Sequence, residues 1–323
     1  MRRTLNHGFL FAALLLLALG LRALPATAAS TTDANRAAAP VKVTVGVLNV
    51  SDTAPLFLAI REGIFTRHGL SVETTPAPGA AQATSGLVSG DMQFAFGSYV
   101  PFILAAQRGV PLRLAAPADN VNNDFSRIVV AQDSAVRSTA DLAGKRVAVS
   151  ALINFGTLGI QEALKAAGVD PKQVTFVSFP FPNMLSALEH GQVDAAWLVE
   201  PFLTQARDSG KTRDLFDPFA GTMQDVPAAG YMMSASWARA NADVAARFRQ
   251  AMAEASKRAA GDPAAVRAAI PTFTKIPEAI ATRIGLPAYT AELDRARLQH
   301  LSDLMSDNGL LPGHFDTAVF FGD

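Results

Sequence analysis

The chain has 323 residues, 28 Lys and Arg against 28 Asp and Glu, and no cysteine. Half of it is hydrophobic and only 17% is charged, which excludes a globally disordered chain and leaves room for one large domain or two ordinary ones. Zero net charge argues against a general nucleic-acid binder, and the lack of cysteine excludes disulfides, thiolate nucleophiles, cysteine zinc sites and a lipidated cysteine anchor.

Residues 1–29 read as a secretory signal peptide. Arg2 and Arg3 supply the positive start, the apolar run from Phe9 to Leu19 is short for a span of roughly 20 residues, and Ala26-Thr27-Ala28 is a small-residue cleavage site. An uncleaved anchor helix is the alternative. Removing the leader takes away Arg2, Arg3 and Arg22 and leaves acidic residues in slight excess. Residues 30–40, rich in Ala, Ser and Thr, read as a flexible lead-in.

Val41 to Val47 alternates at period two and predicts a strand. Asn49 to Thr53 is a polar turn, Thr53 can cap a helix, and Pro55 suits its first turn. Leu56, Ile60 and Ile64 carry the helical spacing, with Gly63 and Gly69 as punctuation. Strands are expected at Leu70–Thr74, Met92–Phe96 and Leu112–Ala116, with helices from Gly79 to about Ser89 and from Pro101 to Arg108. The same grammar then restarts. It predicts strands at Ser126–Gln132, Lys145–Ser150, Val174–Val177 and Val193–Leu198, and helices from Phe155-Gly156-Thr157 to Gly168 and from Asn183 to His190. Leu87-x-x-Gly90-Asp91-Met92-Gln93-Phe94-Ala95-Phe96 is echoed by Leu188-x-x-Gly191-Gln192-Val193-Asp194-Ala195-Ala196-Trp197. Regular β-α alternation with this echo predicts two similar α/β lobes. After Ser234 the chain turns helical. Val244, Phe248, Met252 and Ala255 share one face, Asp262-Pro263 starts a short helix, and Leu293–Met305 forms another. These helices are expected to return to the first lobe. The lobes are then 41–127 plus 235–323, and 128–234, with crossings near Arg127 and near Tyr231–Ser234.

The run Ser51 to Ala59, Gly63-Ile64-Phe65, Gly69 to Glu73, Ser89 to Ser98, Asp141 to Val149, Gly191 to Trp197 and Glu200-Pro201-Phe202 resembles the extracytoplasmic solute-binding proteins of ABC importers. The branch resembled covers binders of aliphatic sulfonates, nitrate, taurine and thiamine precursors. The resemblance implies a two-lobed type II periplasmic-binding fold: two mainly parallel sheets flanked by helices, two crossover strands, and a ligand cleft between the lobes. It further implies a periplasmic monomer that passes a small-molecule ligand to an ABC permease and its ATPase, with no cofactor.

In open α/β sheets ligands sit beyond the carboxyl ends of strands, where helix N-termini offer free N–H groups. Four segments meet that description, and Glu200 lies where the second lobe approaches the hinge. Asn49, Ser51 and Asp52 follow the first strand, as ligand contacts or as turn and cap residues. Gly97, Ser98 and Tyr99 follow the third, as a contact loop or a plain turn. Asn154, Phe155, Gly156 and Thr157 open a helix, with binding set against capping. Phe181 stands in a stiff Pro-flanked loop, and Glu200 before Pro201 is a candidate acceptor at the cleft mouth. Trp197 reads as core more than as a ligand shelf. Tyr231 near the second crossing either touches ligand or packs there, and the polar loop Asn122 to Phe125 offers similar alternatives. Arg127 is the only cation near these carboxylates, which suggests a neutral or weakly cationic ligand such as a pyrimidine thiamine precursor. A sulfonate held by helix N-termini is the alternative.

The sequence holds no Walker A loop, dinucleotide fingerprint, G-x-S-x-G elbow or zinc-type histidine pair. It is therefore not expected to be an enzyme or to bind metal. An exported enzyme on the same fold and a receptor domain feeding a signalling partner are the other two readings.

Overall fold

The computed structural model describes residues 39–122 and 125–322. The stretch read as a signal peptide, nearly all of the stretch read as a lead-in, Asn123, Asp124 and Asp323 lie outside the described residues. In chain order the first part comprises β1 (Val41–Val47), a helical turn at Ser51–Thr53, α1 (Ala54–Arg61), α2 (Ile64–Arg67) and β2 (Leu70–Pro76). It continues through α3 (Ala80–Ser89), β3 (Phe94–Ser98), α4 (Tyr99–Gln107) and β4 (Leu112–Asn120). Then follow β5 (Ser126–Ala131), β6 (Arg146–Val149), α5 (Phe155–Ala166), β7 (Thr175–Ser178), α6 (Phe181–Glu189), β8 (Ala195–Val199), α7 (Phe202–Asp208) and β9 (Thr212–Phe216). The last part is β10 (Pro227–Ser234), α8 (Ala235–Ala240), α9 (Ala242–Gly261), α10 (Pro263–Ala269), α11 (Glu278–Ala281), β11 (Ala288–Tyr289) and α12 (Arg295–Asp307).

These strands build two sheets, in the orders β11-β4-β10-β3-β1-β2 and β7-β6-β8-β5-β9. In the first, β2, β1 and β3 run parallel, while β10 and β11 pair antiparallel. In the second, β7, β6 and β8 run parallel, while β5 pairs antiparallel with β8 and β9. The parallel strands of each sheet are those joined by helical crossovers; the antiparallel β10 and β5 arrive from the other sheet. The two orders match strand for strand from β2 to β4 and from β7 to β9, which is the structural form of the sequence echo. Gly90 and Gly191, the echoed glycines, both end their helix with positive φ, at 85° and 66°, a conformation in which a Cβ is disfavoured.

The crossings differ from expectation. Tyr231–Ser234 is no crossing: it lies inside β10, paired to β3 and β4 of the first sheet. The chain passes between sheets at 121–125 and again at 217–226. Strand β9 and the whole of β10 escape the periodicity argument because Thr212-Arg213-Asp214 is polar and Pro227-Ala228-Ala229-Gly230 has no alternation. Thr53 also behaves otherwise: its hydroxyl donates back to the carbonyls of Leu48 (3.0 Å) and Val50 (2.9 Å) and leaves α1 without a side-chain cap.

The core follows the predicted faces. Val43, Val45 and Val47 of β1 are buried, and Val244, Phe248, Met252 and Ala255 of α9 cover the first sheet, with Phe248 stacked on Phe94 at 3.7 Å. In the second sheet Trp197 of β8 lies against Gly156 of α5, where an added Cβ would collide with the indole. Gly156→Ala should therefore cost about 1–3 kcal/mol of stability, the usual penalty for overpacking, read as a lower urea midpoint at unchanged slope. An unchanged midpoint would show that Trp197 moves freely.

Candidate functional site

The ends of β1, β2, β3, β6 and β8 converge with Phe125 and β10 on one cavity of about 120 Å³, room for several waters or a small organic molecule. From the first sheet come Leu48, Val50, Asp52, Ala77 to Ala80, Phe96, Gly97, Ser98, Pro101, Ala228 and Ala229. From the second come Ser150, Ala151, Ile153, Asn154, Phe155, Phe181, Trp197 and Val199, with Phe125 on the crossing. The location agrees with the strand-end rule for open α/β sheets.

Five aromatic rings line the wall: Phe96, Phe125, Phe155, Phe181 and Trp197. They brace one another. Phe181 meets Trp197 edge-on at 5.3 Å, and the buried Phe219 lies behind Phe155 at 4.7 Å and Trp197 at 6.1 Å. The Trp197 indole N–H donates to the Ser126 hydroxyl at 2.7 Å, so its polar edge is satisfied within the protein and its ring remains for the cavity.

Asp52 is the sole ionisable side chain lining the cavity among the described residues. It is 8% exposed, and the Ser51 hydroxyl donates to it at 3.3 Å. Burial pushes its carboxyl up to about 6, against the pull of its own backbone N–H and Ser51. Behind it stands Asp119 of β4, 1% exposed, with neither carboxyl oxygen hydrogen-bonded. Burial, and then the charge of Asp52, hold the Asp119 carboxyl well above the usual carboxylate range. Three tyrosines complete this interior group. The Tyr289 hydroxyl donates to the Ser51 carbonyl at 2.8 Å; those of Tyr99 and Tyr231 are buried without a partner. Burial and the neighbouring carboxyls raise all three phenols well above their ordinary value.

Of the residues singled out in the sequence, Asp52, Gly97, Ser98, Asn154, Phe155 and Phe181 meet at the cavity, and so does Trp197, which the sequence reads as core and which is buried yet lines the wall. Phe125 apart, the others lie outside its lining. Asn49 is exposed beside the turn. The Ser51 side chain reaches the site only through Asp52. Tyr99 and Tyr231 are core residues. Gly156 is consumed by packing on Trp197, and the Thr157 hydroxyl donates to the Ala151 carbonyl at 3.0 Å and to Asn154 Oδ1 at 2.9 Å. Glu200 is not at a cleft mouth. It is fully buried, and its carboxylate accepts from Thr204 N–H (3.1 Å), Thr204 O–H (2.7 Å) and Gly285 N–H (3.1 Å). Of the polar loop, Phe125 lines the cavity, while the Asn122 side chain donates to the Leu286 carbonyl at 2.7 Å. Sequence reasoning missed the wall formed by Ala77 to Ala80, by Ser150 and Ala151, and by Ala228 and Ala229. Small residues carry no chemical signal of their own; only the strand-end position could have marked them.

Residues 50–266 match the NMT1/THI5-like family. The chain belongs to that family. The taurine-binding periplasmic protein of Escherichia coli (strain K12) is 27% identical over 170 residues, 52% of this chain and 52% of that protein, so the match spans about half the relative's length. Among solved structures, the alkanesulfonate-binding protein SsuA from Xanthomonas axonopodis pv. citri, bound to MOPS, superposes with a TM-score of 0.72 at 20% identity, covering 87% of this chain and 98% of that one. The desulfurization enzyme DSZB superposes with a TM-score of 0.65 at 16% identity, covering 85% and 94%. This family member thus has the two-sheet α/β fold of periplasmic-binding proteins, a fold that also carries an enzyme.

The Asp52 environment has a thermodynamic consequence. Its folded-state value of about 6 lies above the ordinary carboxyl value of 3.8, so the folded protein binds a proton more tightly than the unfolded chain between those limits. The stability of the ligand-free protein should be full below pH ~4 and fall as the pH rises to ~6. Asp52→Asn should flatten this slope and raise stability at neutral pH by about 1–3 kcal/mol, measured as urea unfolding across the pH range. A slope unchanged by the substitution would refute the assignment.

Proposed function

We propose that this protein is the periplasmic solute receptor of an ABC-type importer. It captures a small organic solute in the aromatic-lined cavity and passes it to a permease and its ATPase. The carrying observation is that the strand ends of both sheets contribute to one cavity, while the chain crosses between sheets at two short segments. Two lobes that follow the sheets, one holding β10 and the other ending before it, would close on a ligand about those crossings. Among the described residues no helix is long and apolar enough to cross a membrane, and no group of His, Cys, Asp or Glu is arranged to hold a metal ion. A monomer released from its leader into the periplasm is the form proposed.

Two ligand classes fit, each on its own observation. A planar heterocycle such as a pyrimidine thiamine precursor suits five aromatic rings and a lining that has no Lys, Arg or His among the described residues. A sulfonate, taurine or nitrate suits the names of the relatives, and also suits α3, whose first turn begins at the cavity wall (Gly79 and Ala80) without a side-chain cap. An exported enzyme is the third reading and requires turnover.

A thermal-shift screen of residues 29–323 against pyrimidines, thiamine precursors, alkanesulfonates, taurine and nitrate tests all three. A true ligand at about 100 times its dissociation constant should add about 2.7 kcal/mol of stability, and chromatography should recover it unchanged. Recovery of a product would establish an enzyme, and silence across the panel would remove both ligand classes.

A further inference from the structure

We propose that Asp52 is the charge-selecting residue of the cavity, and that the solute carries a positively charged nitrogen on a small aromatic or aliphatic body. The inference rests on the solute-receptor reading and cuts across its two ligand classes.

The first argument is charge balance. Asp119 on β4, Tyr231 on β10 and Tyr289 on β11 lie within electrostatic reach of Asp52, Ser51 donates to it, and Tyr99 on α4 lies within reach of Asp119. Among the described residues Arg267 is the one cation that acts on this group, and it acts on Tyr289 rather than on either carboxyl. Among the described residues neither buried carboxyl therefore has a cation as its partner, and Asp119 has both oxygens unpaired at 1% exposure. An ionised Asp52 buried in that state is costly, and a cation arriving at it from the cavity offsets that cost. An anion in the same place adds repulsion.

The second argument is the wall. The five rings that share the cavity with Asp52 offer their faces or edges to whatever enters, and aromatic faces attract cations. The third is the fate of the helix starts that could have held an anion deep in the site. The Ser98 hydroxyl already accepts from Val100 N–H at the start of α4, and Asn154 Oδ1 from Thr157 N–H at the start of α5. Only an acidic group at a distance from Asp52, beside the starts of α3 or α6, which have no side-chain cap, escapes this objection. The selected feature is thus the nitrogen, present in an aminoalkanesulfonate and in an aminomethyl-pyrimidine alike.

Matched pairs test this by isothermal calorimetry on the mature chain: taurine against ethanesulfonate, and an aminomethyl-pyrimidine against its hydroxymethyl counterpart. In at least one pair the ammonium member should bind about tenfold tighter or better, the scale of one charge-assisted hydrogen bond. In Asp52→Asn that ratio should fall to near one while the thermal melt stays cooperative. In the wild type the ammonium member should tighten as the solution moves from mildly acidic to neutral, as Asp52 ionises, and the member without an ammonium should not. Equal or tighter binding by the members without an ammonium, or a preference that survives Asp52→Asn, overturns the proposal. If all four compounds fail while another solute without a cationic nitrogen binds, the proposal falls and the receptor reading stands. If no solute binds at all, the receptor reading fails and takes this inference with it.

Discussion

The junction of the two sheets depends on Glu200. Its carboxylate holds the first turn of α7 and the backbone of Gly285, its carbonyl accepts from Ser51 N–H at 3.1 Å, and its N–H donates to the Phe125 carbonyl at 2.8 Å. One residue at the end of β8 thereby ties the turn after β1, the first crossing and the C-terminal segment. All of these groups except the half-buried Gly285 are at or near full burial, where an unpaired N–H or carbonyl would cost on the order of 1–3 kcal/mol. The residue that resembled a ligand acceptor in the sequence is the one that holds the cavity's floor together. Its hydrogen-bonding capacity is spent on the protein.

The contrast with Asp52 is instructive. Both are buried carboxyls at strand ends, and burial raises both. Glu200 meets three donors and is structural. Asp52 meets one weak side-chain donor and a second unsatisfied acid, and it opens to the cavity. Unmet polar capacity, rather than residue type or position along the chain, separates the residue available to a solute from the residue that builds the site. The Asn154 and Thr157 pair tells the same story on a smaller scale: Asn154 Oδ1 accepts from both the N–H and the hydroxyl of Thr157 at the start of α5, and only Asn154 also reaches the wall.

Much of the scaffold was legible because short-range physics wrote it. Period-two Val runs, Gly at helix ends and the helix–Gly–strand echo placed the strands and helices up to β8 within a few residues. The family resemblance covered the same region. Legibility ended at β9 and β10, whose residues carry no alternation because β10 is buried along its whole length, with small residues at its start. That loss moved the second crossing in the reading from 217–226 to Tyr231–Ser234.

By itself the sequence determined the α/β class, the two-part repeat, the core face of α9 and the chemistry that is absent: no thiol and no local metal or nucleotide motif. These depend on composition and on periodicities a few residues long. Tertiary structure alone decided which strand-end residues share a cavity, that Asp119 stands behind Asp52, and that Glu200 and Tyr231 face inward. Those outcomes depend on register and packing between segments distant in sequence, where a shift of one residue turns a side chain to the opposite face of its sheet.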